Sequence, residues 1–392
     1  MYNRVLRKIK PNKVESRIVD LRVKRFLHLL NKNLKNAEAF IGGSFAKNTW
    51  LRGNHDIDVF VLYDNNDNIS FKLEKVLNKC FENVKRVHGS RDYFQIRKWG
   101  LDFEIVPVFK IIKSEDAKNV TDVSILHAQW VIANTNDKLV DDIRLVKQFC
   151  KANRLYGAET FIKGFSGYVL EILIIYYDGF EELVKAACKW KKGDVINIMN
   201  YKINLNKEKW SPLIVIDPVQ KDRNAAAALS EEKFEVFIDL CKKFVKKKSV
   251  NYFINKKVNV KGHDVILEFK SLEGFKDVVG TKALKVFEFI KEKLDLEFGV
   301  KDASWYYDEG LMYFDVKKKN IDSYKKHLGP FVKDKIHADK FKEKYSKVFV
   351  IGERLYTNIN VEHNNYLDYI KHLIGLEYVK SRIKSINRKI YK

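Results

Sequence analysis

The stretch Ile41 to Tyr63, IGGSFAKNTWLRGNHDIDVFVLY, constrains this chain more than any other. Gly42, Gly43 and Ser44 form a tight small-residue turn behind a short apolar run, and Asp56-Ile57-Asp58 follows twelve positions after Ser44 in a segment that alternates as a strand. Successive strand side chains point to opposite faces, so Asp56 and Asp58 project together while Ile57, Val59 and Val61 turn the other way. Two carboxylates on one face at a strand end make a ligand pair for a divalent metal. The small turn upstream lets backbone N–H groups and the Ser44 hydroxyl approach a phosphate that a larger residue would block. Together these features describe a site for metal-assisted phosphoryl or nucleotidyl transfer.

Such chemistry needs a third carboxylate, so that one ion activates the attacking hydroxyl while another holds the triphosphate. The strand-like run Leu101-Asp102-Phe103-Glu104-Ile105-Val106 offers two on one face. Glu104 is the candidate because it stands deeper in the strand, two residues before Val106-Pro107, and Asp102 is the reserve. Acidic residues on half-exposed strands are often only solvated. A glycine turn at the right distance and a second acidic strand downstream weigh against that reading here.

The chain has 392 residues, which favours two to four domains, and its 46% apolar content allows a sizeable core. A formal charge of +23 makes a polyanion the expected partner, nucleic acid ahead of a membrane surface. No segment approaches the roughly 18–20 consecutive apolar residues of a membrane span. The N-terminus MYNRVLRKIKPNK lacks the apolar core of a signal peptide, so a cytoplasmic protein is expected. Cys80, Cys150, Cys188 and Cys241 are far apart, show no CxxC spacing and lie in helical patterns, which reads as buried free thiols.

Apolar spacing predicts helices over Val14 to Leu34, Phe71 to Val84, Val120 to Tyr156, Gly164 to Gly179 and Phe180 to Lys191. The run DNNDN after Tyr63 reads as a turn, and Arg86 to His88, Tyr93 to Trp99 and Leu101 to Phe109 read as strands. A small mixed α/β palm thus ends near Phe109 and a mainly helical segment follows. Leu213 to Val219 reads as a strand, and Ser230 before Glu231 and Glu232 as a helix N-cap. Beyond Ser249, short β-like runs (Val265 to Phe269, Trp305 to Val316, Lys347 to Ile351) alternate with helices (Thr281 to Leu294, Tyr366 to Gly375) before a Lys/Arg-rich end from Lys380 to Lys392. The expected fold class is multidomain α+β, divided at 1–115, 116–248 and 249–392 on composition.

GGSF followed by HDIDVFV and LDFEIVPVF resembles the nucleotidyltransferase β superfamily. KNTWLRG and RLVKQFCKANRLYGAETFIKGFSGY resemble the archaeal, class I CCA-adding tRNA nucleotidyltransferases. The resemblance covers about the first 240 residues, while the tail matches only in size and α+β character. It implies a palm, a helical neck, a body and a tail, and template-independent addition of CCA to the 3′ end of tRNA from CTP and ATP with two Mg²⁺ ions. The tail would grip the tRNA acceptor end and top half; a homodimer is open. A poly(A) polymerase-like nucleotidyltransferase and a non-catalytic RNA-binding protein are the alternatives.

Carried over by position, the resemblance makes Asp56, Asp58 and Glu104 the metal ligands and catalytic carboxylates. It places the nucleotide against Gly43, Ser44, Lys47, His127, Lys147 and Tyr156, and has Arg223 read the incoming base. Glu104 stands where the family usually has Asp, and Lys47 where it usually has Arg, which keeps the charge but loses a planar fork. Without the resemblance, His127 reads as a core histidine, Lys147 as a solvated helix lysine and Tyr156 as a helix-end staple. Arg223 reads equally as a partner for Asp222 or Asp217, and Phe165 to Tyr168 as packing.

Overall fold

A computed structural model describes residues 1–64, 68–89, 91–202 and 205–389, and the contacts among them divide the chain into two units, Met1–Lys256 and Lys257–Lys392. The turn expected at DNNDN and the last residues of the basic end fall largely outside the described residues. Among those described, no helix is long and apolar enough to cross a membrane.

The first unit begins with two helices, α1 (Tyr2–Ile9) and α2 (Lys13–Asn31), where the sequence suggested only the second. The Asn12 side chain caps α2 by accepting from the Glu15 N–H at 2.8 Å. A sheet follows, built from β1 (Ala37–Ile41), β2 (Asp56–Tyr63), β3 (Lys85–Val87), β4 (Tyr93–Lys98) and β5 (Leu101–Phe109), with the short helix α3 (Gly43–Ala46) after β1 and α4 (Ile69–Cys80) after β2. Its order is β1-β2-β5-β4-β3, and only the β2/β5 pair is parallel. The inward face of β2 carries Ile57, Val59 and Val61, each at most 1% exposed, which is the alternation that the sequence implies. Phe26 of α2 stacks on Phe103 of β5 and on Phe81, ring centres 3.8 and 4.5 Å away, and seals this core.

The helical run expected over Val120 to Tyr156 is broken at Asn134–Asn136 into α5 (Ser124–Ala133) and α6 (Asp137–Ala152). Asn136 caps α6 through the Leu139 N–H, so its side chain supplies the helix stop and start that apolar spacing alone cannot report. Next come α7 (Gly167–Tyr177), α8 (Phe180–Ala187), the two-stranded parallel pair β6 (Asp194–Ile196) and β7 (Leu213–Val215), and α9 (Glu231–Lys246), capped by Ser230 as expected. Their shared core gathers Phe149, Phe165, Phe180, Phe237 and Phe244, and Val5 of α1 packs into it. Cys150 and Cys241 are buried in this core as free thiols; Cys80 and Cys188 are free but only half-buried.

In the second unit, β8 (Val265–Ser271), α10 (Lys276–Phe298), β9 (Val300–Tyr306) and β10 (Leu311–Val316) precede β11 (Tyr324–Phe331), α11 (Lys335–Lys344), β12 (Val348–Ile351) and β13 (Arg354–Asn360), and α12 (Tyr366–Gly375), α13 (Glu377–Lys380) and β14 (Ile383–Arg388) end it. The run read as one strand from Trp305 to Val316 is a hairpin, turned at Gly310 with φ +63°. Much of the end read as a basic tail is β14, paired to β8. Sheet β14-β8-β10-β9 packs on α10, which α12 in turn packs against, and β11-β13-β12 forms a separate three-stranded sheet.

Candidate active site

Parallel pairing brings β2 and β5 together in a register that sets Asp58 opposite Glu104 and Asp56 opposite Asp102. Paired residues share a sheet face, so four carboxylates stand on the side opposite Ile57 and Phe103. They line one wall of a cleft of about 930 Å³, whose other walls carry Lys47, Lys147 and Tyr168. Glu104 accepts from Gln95 Nε2 at 2.8 Å, and Asp102 lies 3.8 Å from Arg97 Nε on the exposed strand margin. Burial, reinforced by the charge of Glu104, pushes the Asp58 carboxyl up to about 6. Burial also raises Glu104, against the hydrogen bond from Gln95.

The glycine turn is dictated by contact with this carboxylate wall. Gly43 has φ +55°, and a Cβ there would fall 1.6 Å from Asp58 Oδ2; a Cβ on Gly42 would fall 2.0 Å from the Phe60 ring. The Gly42 N–H donates to the Asp58 carbonyl at 2.8 Å. Only residues without a side chain let this turn close over the strand, and it leaves Ser44 and Lys47 on the cleft.

Lys147 is not a solvated helix lysine: it is 3% exposed and reaches from α6 into the cleft. Its Nζ donates to Glu171 Oε1 at 2.7 Å and to Thr49 Oγ1 at 2.8 Å, while Lys47 Nζ donates to Glu171 Oε2 at 2.6 Å. Thr49 Oγ1 completes the set by donating to Glu171 Oε1 at 2.9 Å. Burial opposes ionisation of Glu171, but the two lysines hold its carboxyl down at about 2. Burial lowers Lys147 to about 8 despite Glu171, and the like charge of Lys47 adds to that. Arg144, one turn earlier on α6, donates to the Trp50 carbonyl at 3.2 Å and to the Asn48 carbonyl. Two cations of one helix thus grip residues 48–50, which follow the glycine turn.

Asp217, one of the two partners that the sequence offered Arg223, is fully buried. It accepts from Tyr168 Oη at 3.0 Å, from Arg223 Nη1 at 2.6 Å and from the Val219 N–H at 2.9 Å. His127 Nε2 lies 3.0 Å from it without the alignment of a hydrogen bond, and its ring sits 4.3 Å from that of Tyr168. Burial alone would raise Asp217, but His127 and Arg223 beside it hold its carboxyl at about 2. Arg223 therefore takes the ion pair with Asp217 that the sequence left open, and its side chain stays 34% exposed.

Of the residues named from sequence, Ser44, Lys47, Asp56, Asp58, Glu104, Lys147 and Tyr156 line the cleft, Gly43 lies beneath Asp58, and His127 and Arg223 adjoin it through Asp217 and Tyr168. The signal for Glu171 was in the sequence: it is the one charge in the α7 run GYVLEILIIYY, and a lone charge in an apolar helix must be paired.

Three family models match the chain. Residues 23–127 match a nucleotidyltransferase domain, residues 141–254 the second domain of tRNA nucleotidyltransferase, and residues 264–391 the C-terminal domain of the CCA-adding enzyme. The CCA-adding enzyme of Nanoarchaeum equitans is 36% identical over 354 residues, covering 86% of this chain and 88% of that protein. The chain belongs to the CCA-adding enzyme family. The CCA-adding enzymes of Methanosarcina acetivorans, 32% identical over 87% of this chain and 80% of theirs, and of Methanocaldococcus jannaschii, 29% identical over 95% and 89%, are further relatives. A solved cytoplasmic RNA terminal U-transferase shares the fold over 66% of this chain and 98% of its own, with a TM-score of 0.51 at 14% identity.

Membership of the CCA-adding enzyme family implies use of a divalent metal. Among the described residues, no three His, Cys, Asp or Glu side chains already converge into a closed ligand set, and Glu104 is turned to Gln95. The donor chemistry nevertheless fits a hard cation. Asp56, Asp58 and Glu104 are oxygen donors on one face, and burial together with the neighbouring acids Glu104 and Asp56 raises the Asp58 pKa against the opposing charges of Lys47 and Lys147.

Proposed function

We propose that this protein adds CCA to the 3′ end of tRNA, taking CTP and ATP as substrates and requiring two Mg²⁺ ions. The observation that carries the site is the β2/β5 register, which places Asp58 beside Glu104 on one wall of a cleft that Lys47 and Lys147 also line. Family membership supports the substrate and the product. The reaction joins the terminal ribose oxygen to the α-phosphorus of the nucleotide and breaks the bond to pyrophosphate, which leaves.

Asp56, Asp58 and Glu104 would hold the metal, with Glu104 turning from Gln95 to do so; bound there, it neutralises the reacting phosphates and makes the ribose hydroxyl a better nucleophile. The remaining roles fall to the chain itself. Ser44 and the Gly43 turn meet the triphosphate, Lys47 and Lys147 neutralise it from the opposite wall, and Tyr156 and His127 border the nucleotide. Arg223, oriented by Asp217, reads the base with fixed donors, as an enzyme without a nucleic-acid template requires. The division proposed from sequence is a palm over 1–115, a neck and body over 116–248 and a body/tail over 249–392; the three family matches, at 23–127, 141–254 and 264–391, run in the same order. The tail would hold tRNA by its phosphates and A-form shape, since the RNA major groove is too deep to read.

The test is to incubate the protein and Mg²⁺ with a tRNA ending at its discriminator base, in the presence of CTP, ATP, both, or UTP and GTP. Two additions with CTP alone, a third only when ATP is also present, and then a stop are expected. Growth of a long A tail would instead indicate a poly(A) polymerase, and no incorporation under any divalent metal would leave only RNA binding.

A further inference from the structure

The catalytic carboxylates account for one wall of the cleft but not for the opposite one, where a fully buried acid sits among the groups expected to neutralise a triphosphate. An acid there is at first sight the wrong charge. Glu171 is 1% exposed, belongs to α7, and bonds simultaneously to Lys47, from the segment after the glycine turn, to Lys147, from α6, and to Thr49. Three separate chain segments thus meet on one carboxylate, and both lysines line the cleft.

We propose that Glu171 is a positioning residue for the nucleotide: it holds Lys47 and Lys147 side by side, both charged, at the point where the triphosphate binds. The proposal rests on the reading of this cleft as a nucleotidyl-transfer site. Two ammonium groups this close repel one another, and a buried lysine without a counter-ion sheds its proton. A single acid bonded to both removes the repulsion and leaves the pair with one net positive charge for the phosphates. The charged and titratable groups around Lys147 are Glu171 on α7, Lys47 after the glycine turn, Asp58 on β2, Lys151 on the next turn of α6, and Tyr156, whose hydroxyl flanks Gly167 together with Lys147. Lys47 and Lys151 disfavour its charge; of the acids among the described residues, Glu171 alone bonds to it. The lowered pKa of Lys147, about 8 with Glu171 present, leaves little margin once that acid is neutralised.

The experiment compares wild type with Glu171→Gln, which keeps the shape and loses the charge, and with Glu171→Asp, which keeps the charge. KM and kcat for CTP on a tRNA lacking CCA, and direct binding of a fluorescent CTP analogue without tRNA, are measured at about pH 6.5 and about pH 8.5, either side of the Lys147 pKa. For Glu171→Gln, KM and the analogue's dissociation constant are expected to rise about 10- to 100-fold at the higher pH, the loss typical of a charge-assisted contact, and to recover in part at the lower pH as Lys147 is reprotonated. kcat should change far less, and Glu171→Asp should restore part of the affinity. An unchanged CTP affinity, or a fall in kcat alone that is equal at both pH values, overturns the proposal. If Glu171→Gln does not fold, Glu171→Asp decides alone: the retracted carboxylate should raise the analogue's dissociation constant severalfold, and an unchanged value overturns it. Failure of wild type to extend tRNA would instead refute the proposed function, while the analogue titration would still report on Glu171.

Discussion

Asp58 and Glu104 stand opposite each other across the parallel β2/β5 pair, while Glu104 bonds to Gln95 and Asp58 lies against the backbone of Gly43. Burial raises the pKa of both acids, and the charge of Glu104 raises Asp58 further, so a cation bound between them would favour their ionised forms.

The first prediction separates the two candidates on β5. Asp58→Asn and Glu104→Gln should each reduce nucleotide incorporation about 100-fold or more, the scale of losing a preorganised electrostatic group, with tRNA binding nearly unchanged. Asp102→Asn should cost far less, because Asp102 lies on the exposed margin beside Arg97. Primer-extension rates on tRNA check the ranking, and a lethal Asp102 change with a tolerated Glu104 change would reverse the assignment.

A second prediction concerns pH and metal. With Asp58 raised from 3.8 to about 6, the metal-free folded chain holds a proton that the unfolded chain releases in that window. Its contribution to stability is therefore full below 3.8 and is lost as pH rises through about 6. At pH values above this window, Mg²⁺ should raise the melting temperature. Glu104→Gln should raise it without metal, by on the order of 2 °C, since it removes the neighbouring charge. Calorimetric scans in chelator and in Mg²⁺ read both effects.

The third prediction uses two glycines that share a left-handed backbone. Gly43→Ala adds a Cβ within 1.6 Å of Asp58 Oδ2, whereas Gly53, with φ +76°, has nothing within 4 Å of the same position. Both changes should cost about 1–2 kcal/mol through the backbone. Only Gly43→Ala should also displace Asp58, with a loss of incorporation on the order of 100-fold, the penalty for misplacing a reacting group by about 1 Å. Thermal melts and single-turnover rates measured together distinguish strain from misplacement.

Asp217 yields a fourth. Asp217→Asn removes the charge that orients Arg223 and accepts from Tyr168. Discrimination of CTP and ATP against UTP and GTP should fall by about 1–3 kcal/mol, the range for losing a buried charged hydrogen bond. Competition assays with mixed nucleotides measure it, and unchanged selectivity would detach Arg223 from base choice.

The fifth follows from the net charge of +23. tRNA affinity should fall steeply and linearly in log–log form with salt concentration, because each phosphate contact releases counter-ions. Filter-binding titrations over a salt series test this, and a dissociation constant insensitive to salt would contradict it.

What the sequence determined by itself was local. Alternation in HDIDVFV put Asp56 and Asp58 on one face, and the glycine pair announced a turn that no larger residue could make. Apolar spacing found α2 and α7 within a few residues, because amphipathic periodicity is written along a single segment, and the Ser230 cap signal found the start of α9. Tertiary structure alone decided which strand lies beside β2 and in what register, and so brought Glu104 opposite Asp58. It also chose the partners of isolated charges. Lys147 reads as a surface lysine until Glu171, 24 residues away, is brought to it, and the choice between Asp222 and Asp217 as partner of Arg223 stays open until Asp217 is buried beside it. β1, β11 and β13 went unread for the same reason: a short strand is stabilised by its neighbour's backbone, and that neighbour is fixed only by the fold.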